Sequence, residues 1–369
     1  MKYEYDIIIL YFNLCVIRKL ILEKRIRLQD IADKTGISVS TVHRALTRPD
    51  KVSAQVYTQV HEASEALGYE PNLIASTLSS KKKMNFAMLC PYNAFYEQII
   101  AGAQSAVNEL QVYGVTLKFI HSKEYSFSEQ LEQLNEIIEN MEYAGIAIAP
   151  AHTQLLNPLI DKLTGNGVPV ITFDNDIPNS SRKYYIGQNP KIAGETAAFL
   201  YDTILPEGSV VAVMGSYVDA YGLAERLRCF KEYLISRGKL RVTDNFQYFD
   251  SIDGAYEMCG QILVNIKPAA IFSNSMLGTI GCARAVKEKG LTGKVFMVGF
   301  DIIDEIKGYL LDGTIFASLH HTPFTQGNMA VRSLLRLCKG MNGNSGDCFY
   351  INTNVILKTN VEEFMNALY

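Results

Sequence analysis

The sequence predicts a small all-α head carrying a helix-turn-helix, followed by a larger α/β part built as two doubly wound parallel-sheet lobes. Three observations carry this. The chain has 369 residues, and at roughly 100–200 residues per domain that length implies two or three units with substantial cores. Hydrophobic residues make up 48% and charged residues 20%, an ordinary globular mix that excludes a disordered, collagen-like or coiled-coil chain. From residue 84 onward, short apolar runs alternate with longer helical patterns about every 25–30 residues, as βαβ units do.

The net charge of −3 hides an asymmetry. Residues 22–83 carry ten Lys/Arg against seven Asp/Glu, whereas residues 84–369 carry 22 against 29. The basic part is small and near the front, which is where a polyanionic partner is to be sought. Seven cysteines are odd in number, scattered and without C-x-x-C spacing. Reduced thiols in a cytoplasmic protein are therefore expected, and a metal site is not. Residues 7–17 are apolar apart from Asn13 but fall short of the ~20 that span a bilayer. Arg18 and Lys19 follow this run, the wrong order for a secretory leader, so no membrane partner is expected. Residues 1–22 read as an extension outside the fold, with an extra helix as the alternative.

The head occupies residues 23–71. Residues 28–35 suit a short helix with Ile31 and Ala32 on its apolar side, and Gly36 follows where a tight turn needs positive φ. Ser38 is a good N-cap for a second helix. Val39, Val42, Ala45 and Leu46 give that helix a core face, leaving Ser40, Thr41, His43 and Arg44 to point outward. Ser53 caps a third helix, in which Val56, Val60, Ala63 and Leu67 recur at helical spacing until Gly68. Three small helices around one core present the second to a DNA major groove.

These residues also carry a resemblance. The run IRLQDIADKTGISVSTVHRAL, then KVS, then EALGYEPNLIASTLSSKKK resembles the DNA-binding head and hinge of the LacI/GalR family of bacterial transcription regulators over about sixty residues. The resemblance places Val39, Ser40 and Arg44 at base edges and Thr41 and His43 toward the backbone, with Ser38 also counted on the DNA-binding face; His43 replaces the family's usual Ser and is either a phosphate contact or a solvated side chain. It makes 72–83 a hinge and linker starting at Asn72. Residues 73–79 are too short for a stable isolated helix, and Leu78 holds the position of the leucine that wedges into the minor groove. Ser76 stands where Arg is common; Lys81, Lys82 and Lys83 either replace that charge or form a plain linker.

In the larger part, 84–369, the apolar runs are 85–90, 115–120, 145–149, 169–173, 210–214, 269–273 and 295–299, with helices including 96–112 and 275–289. Ligands of open parallel sheets bind at the carboxyl ends of strands. The residues found there are Asn93, Phe95 and Tyr96, then Asp174 and Asn175, Arg226 on a following helix, Phe249, Asn274, Asp301 and His321. Asp, Asn and Arg mixed with aromatics suit a sugar, whose hydroxyls donate and accept and whose apolar faces stack on rings. Taken singly, each is as well explained as a turn or cap residue.

The motifs NAFYEQIIAGAQSA, VPVITFDND, IGQNPKIAGETAA, AERLRCFKEYL, FSNSMLGTIGCARAVKEKG, VGFD and DGTIFASLHHTPFTQG resemble the LacI/GalR effector domain and the ribose-type periplasmic sugar-binding proteins. The resemblance implies a type I periplasmic-binding-protein-like fold, with one lobe at about 84–186 and 319–349 and the other at about 187–318 and 350–369. It puts Asn93, Phe95, Tyr96, Asp174, Arg226, Phe249, Asn274 and Asp301 on ligand contacts. Asn175 stands where that group often has Arg, His321 where it has Gln, Ala149 where it has Asn, and Ser275 where Asp is common. A homodimer on double-stranded operator DNA, with a sugar or polyol as effector, is implied.

No G-x-S-x-G elbow, no G-x-x-x-x-G-K-[ST] loop, no G-x-G-x-x-G after a strand and no H-E-x-x-H pair is present. Neither an enzyme nor a cofactor is expected, and His320 and His321, adjacent on an expected strand, should face opposite ways. The reading is a sugar-responsive transcription regulator, a repressor rather than an activator. The alternatives are a solute-binding protein of a sugar transport system and a two-lobed α/β enzyme.

Overall fold

The computed structural model describes residues 26–47, 51–67, 69, 83–123, 126–216, 220–248, 251–340 and 347–368. Three of the expected site residues, Asn72, Leu78 and Phe249, lie outside the described residues, as do the extension and the hinge.

The head forms α1 (Leu28–Thr35), α2 (Val39–Thr47) and α3 (Ala54–Leu67). Ile31, Ala32, Val42, Ala45, Val60 and Ala63 are buried together as its core. Gly36 takes φ 70° between α1 and α2, where a side chain would be strained. Ser38 Oγ accepts from the Thr41 amide at 3.3 Å and Ser53 Oγ from the Val56 amide at 3.4 Å, so both helices start at their expected caps. Gln59 Nε2 donates to the Thr35 carbonyl at 3.0 Å, tying α3 to the last turn of α1.

The larger part begins β1 (Met84–Pro91), α4 (Ala94–Leu110), β2 (Val115–Ser122), α5 (Phe127–Asn140), β3 (Gly145–Ile148), α6 (Thr153–Gly165), β4 (Val170–Phe173), β5 (Tyr184–Gln188) and α7 (Pro190–Ile204). It continues β6 (Val210–Ser216), α8 (Tyr221–Arg237), β7 (Arg241–Tyr248), α9 (Ile252–Asn265), β8 (Ala270–Ser273), α10 (Met276–Glu288), β9 (Phe296–Phe300) and α11 (Asp304–Asp312). It closes β10 (Ala317–His320), α12 (Pro323–Cys338), β11 (Asp347–Ile351), β12 (Asn354–Leu357) and α13 (Val361–Leu368).

Two six-stranded sheets result, ordered β11-β5-β4-β3-β1-β2 and β12-β10-β9-β8-β6-β7. Every pairing is parallel except β10 with β12. Apolar helix faces cover both sides of the second sheet, one core including Ile271, Ile280 and Leu310 and the other Tyr201, Phe230 and Phe272. Beside the first sheet, α4 and α12 pack backbone to backbone. A Cβ on Gly327 would lie 1.9 Å from the Ile99 carbonyl oxygen, and one on Gly102 1.9 Å from that of Phe324.

The chain passes between the lobes after β5, β10 and β11. The ladders run up to these passages: Gln188 pairs with Ile351 and His320 with Asn354. The strand expected to hold both histidines ends at His320, leaving His321 in the crossing itself. Strands β5, β7, β10, β11 and β12 were not among the seven apolar runs. The helix expected from residue 96 starts at Ala94 and ends at Leu110, followed by a 3-10 turn over Gln111–Tyr113.

Candidate functional site

On the head, Ser38, Ser40, His43 and Arg44 are exposed along α2, while Thr41 is half-buried. Ser38 Oγ donates to Thr41 Oγ1 at 2.9 Å, so both hydroxyls are engaged at the helix start. Val39 packs against the core of the head. The outward face is thus short, polar and cationic, as its spacing requires.

The second site lies between the two sheets, at the carboxyl ends of their strands. Where β4 ends, Asp174 adopts left-handed backbone (φ 61°), and its amide donates to Gln326 Oε1 of α12 at 3.0 Å. Its carboxylate accepts from the Tyr96 hydroxyl at 2.6 Å. Asn93 caps α4, its Oδ1 accepting from the Phe95 and Tyr96 amides; Phe95 stands edge-on to Tyr96 and leans on the His321 imidazole, 5.3 Å between centroids. Asn175 donates to the Pro150 carbonyl at 2.9 Å and accepts from the Gly222 amide of α8 at 2.9 Å, joining one lobe to the other.

The second lobe answers with Arg226. Its Nη1 donates to the Asn274 carbonyl (2.7 Å), its Nη2 to Gln188 Oε1 at the end of β5 (2.8 Å), and its guanidinium carbon lies 4.1 Å from the centre of the Phe300 ring, a cation–π arrangement. Asn274 is itself held by the Ser216 amide and the Leu223 carbonyl. At the end of β9, Asp301 repeats the left-handed backbone of Asp174, with φ 65°. His321 stands between the two aspartates, Nδ1 at 3.0 Å from Asp301 Oδ1 and Nε2 at 3.5 Å from Asp174 Oδ1. With the imidazole protonated, the closer contact is a salt bridge.

Burial disfavours charge on His321, but the carboxylates of Asp301 and Asp174 outweigh it and push its pKa up to about 9. Burial also works against the Asp301 carboxylate, yet the cations facing it, His321 foremost, hold its pKa below the ordinary value. His320 is the contrast: it points away against Phe364, 5.1 Å between ring centroids, and burial lowers its pKa to about 4. The two histidines do face opposite ways.

Seven of the ten expected cleft residues line one cavity: Asn93, Phe95, Asp174, Asn175, Arg226, Asp301 and His321. Leu223, Met276 and Leu277 give it apolar wall. Tyr96 and Asn274 stand behind it, holding Asp174 and Arg226 in place. Gln188, Gln326 and Tyr185 are site residues that the sequence reading does not name. Tyr185 donates toward the Asp174 and Gln188 carbonyls, and Ser275, also on the cavity wall, caps α10 through the Gly278 amide. Gln188 could have been found by the strand-end rule that found the others, had β5 been recognised.

Residues 27–72 match the family described as bacterial regulatory proteins, lacI family, and residues 84–342 the periplasmic binding protein domain. The chain is 23% identical over 321 residues to the HTH-type transcriptional regulator RegA of Clostridium saccharobutylicum, covering 84% of this chain and 92% of that protein. It is 24% identical over 291 residues to catabolite control protein A of Priestia megaterium, covering 75% and 82%. In fold it is similar to an ABC transporter solute binding protein from Burkholderia graminis solved with D-arabinose, with a TM-score of 0.71, 23% identity, and coverage of 76% of this chain and 98% of that one. Among the described residues no helix is long and apolar enough to cross a membrane.

Proposed function

We propose, from the premise that the chain belongs to the lacI family of bacterial regulatory proteins and carries a periplasmic binding protein domain behind its head, that it is a cytoplasmic repressor whose hold on an operator is set by a sugar or polyol bound between its lobes. As a member of that family it is a transcription regulator. The observation that carries the effector reading is the cavity wall: carboxylates of Asp174 and Asp301, the Asn93 amide and the Arg226 guanidinium converge beside Phe95 and aliphatic side chains. Groups that accept and donate hydrogen bonds around an apolar surface are what a polyhydroxy ring requires.

On DNA, Ser40 and Arg44 read base edges, with Val39 adding apolar contact. Thr41 and His43 hold phosphates, Ser38 caps the helix on the same DNA-facing side, and Asn72 and Leu78 serve the hinge. A homodimer supplies two heads to a two-fold operator. A thermal-shift screen against free sugars and polyols tests the effector, because a ligand at 100 times its Kd adds about 2.7 kcal/mol to the folded state. A raised melting temperature with at least one of them is expected; none moving it while operator DNA is still bound would remove the sugar from the proposal.

A further inference from the structure

The described wall of the cavity holds four charged side chains, and they come in opposite pairs. Asp174 enters from the first lobe and Asp301 from the second, Arg226 from α8, and His321 from the crossing after β10. His321 is 3% exposed and lies between the carboxylates, 3.0 Å from Asp301 and 3.5 Å from Asp174. Two further charged side chains close in sequence are paired with opposite charges: Asp176 with Arg182 and Glu225 with Arg228. What α4 and α10 add to the wall is amide, hydroxyl or apolar.

We infer that His321 sets the charge of the ligand: as the second cation against two carboxylates it makes a cavity that takes an uncharged polyhydroxy molecule and turns away its phosphorylated, carboxylated and amino counterparts. The inference deepens the sugar reading above and rests on it. A net charge brought into a buried, already balanced site loses its water and finds no counter-charge, whereas a hydroxyl exchanges one hydrogen bond for another. A phosphate would meet two carboxylates while Arg226 is bonded to Asn274 and Gln188. An ammonium would meet Arg226 and His321. The two flanking carboxylates keep His321 charged at neutral pH. Removing that charge leaves the described wall at one net negative, which an amino sugar would then offset.

The test is binding at pH 7 of D-glucose, D-galactose and D-ribose, each beside its phosphate ester and aldonic acid, and of the two hexoses beside their 2-amino-2-deoxy forms. Wild-type protein and His321→Gln, which keeps hydrogen-bonding capacity without the charge, are compared. The wild type is expected to bind a neutral sugar at least about tenfold more tightly than its charged counterparts, and the variant to shift the amino-to-neutral ratio at least about tenfold toward the amine. A charged counterpart binding the wild type as tightly as its neutral parent, or an unchanged ratio in the variant, would overturn the inference while leaving the sugar reading intact. The wild-type arm decides even where the variant does not fold. Binding by no sugar, neutral or charged, would instead sink the sugar reading and this inference with it.

Discussion

Asp174 and Asp301 both hold left-handed backbone at the ends of β4 and β9, a conformation that costs a non-glycine residue about 1–2 kcal/mol, and both carboxylates are spent on the same cavity. Such strain persists where the surroundings over-determine it, and here they do: Gln326 and Tyr185 hold the Asp174 backbone, and the Asp301 carbonyl accepts from Ser318 Oγ at 2.6 Å. Arg226→Ala is expected to abolish the response to ligand and lower stability by about 1–3 kcal/mol, because Gln188 and the Asn274 carbonyl lose a charged donor, while DNA binding persists; chemical denaturation and DNA-binding assays check both. On the head, Arg44→Ala is expected to reduce the preference for operator over scrambled DNA by about 1–3 kcal/mol, the discrimination of one bidentate base contact. Competition binding measures it. The histidines give stability opposite slopes with pH. His321 has its folded pKa raised from 6.5 to about 9, so its contribution is full below 6.5 and lost as pH rises through about 9. His320 is lowered from 6.5 to about 4, so its contribution is present above 6.5 and lost as pH falls toward 4. Urea unfolding of wild type and His321→Gln from pH 4 to 9.5 should show the difference between the two shrinking above pH 6.5.

Among the elements, those readable from sequence are mainly those buried on both faces. β3, β4 and β8 are buried at every position, and their runs of apolar residues say so directly. β7, with RVTDNFQY, and β11, with DCFYI, are sheet edges that are mostly exposed or half-buried; polar residues in β7 satisfy solvent and erase its pattern, and β11 is too short and too open to show one. β5 is wholly buried yet reads YYIGQ, because Tyr185 and Gln188 spend polar atoms on the cleft. Four strand ends led straight to Asp174, Asn274, Asp301 and the Asn93 turn. Gln326 was invisible for a different reason: it comes from α12, 152 residues from the Asp174 amide it holds, and no local spacing encodes that. The α4–α12 contact gives a sharp element-scale expectation. Gly327→Ala drives a methyl into the Ile99 carbonyl and should cost about 3 kcal/mol, the upper part of the usual overpacking range. Gly308→Ala on α11, with nothing within 4 Å of the added carbon, should instead gain about 0.5–1 kcal/mol. Denaturant midpoints of the two variants separate packing from helix propensity.

For the whole molecule, three crossings and a set of polar ties join the lobes. Asn175 reaches Gly222, Gln188 reaches Arg226, and Gln98 Nε2 reaches the Ile302 carbonyl at 3.4 Å. A ligand that bonds Asp174 and Asp301 therefore engages both lobes at once, and any difference in its affinity between two lobe arrangements shifts their populations. Coupling of such a shift to the head is the central claim, and by linkage it works in both directions: about 1–3 kcal/mol would change DNA affinity some 5- to 150-fold, and sugar affinity by the same factor. The direct measurement is calorimetric Kd for the sugar that raises the melting temperature, taken with and without a saturating operator duplex obtained by in vitro selection. We expect the two values to differ at least about fivefold, matched by the change in operator affinity when the sugar is present; equal values would mean that the cavity does not regulate the head.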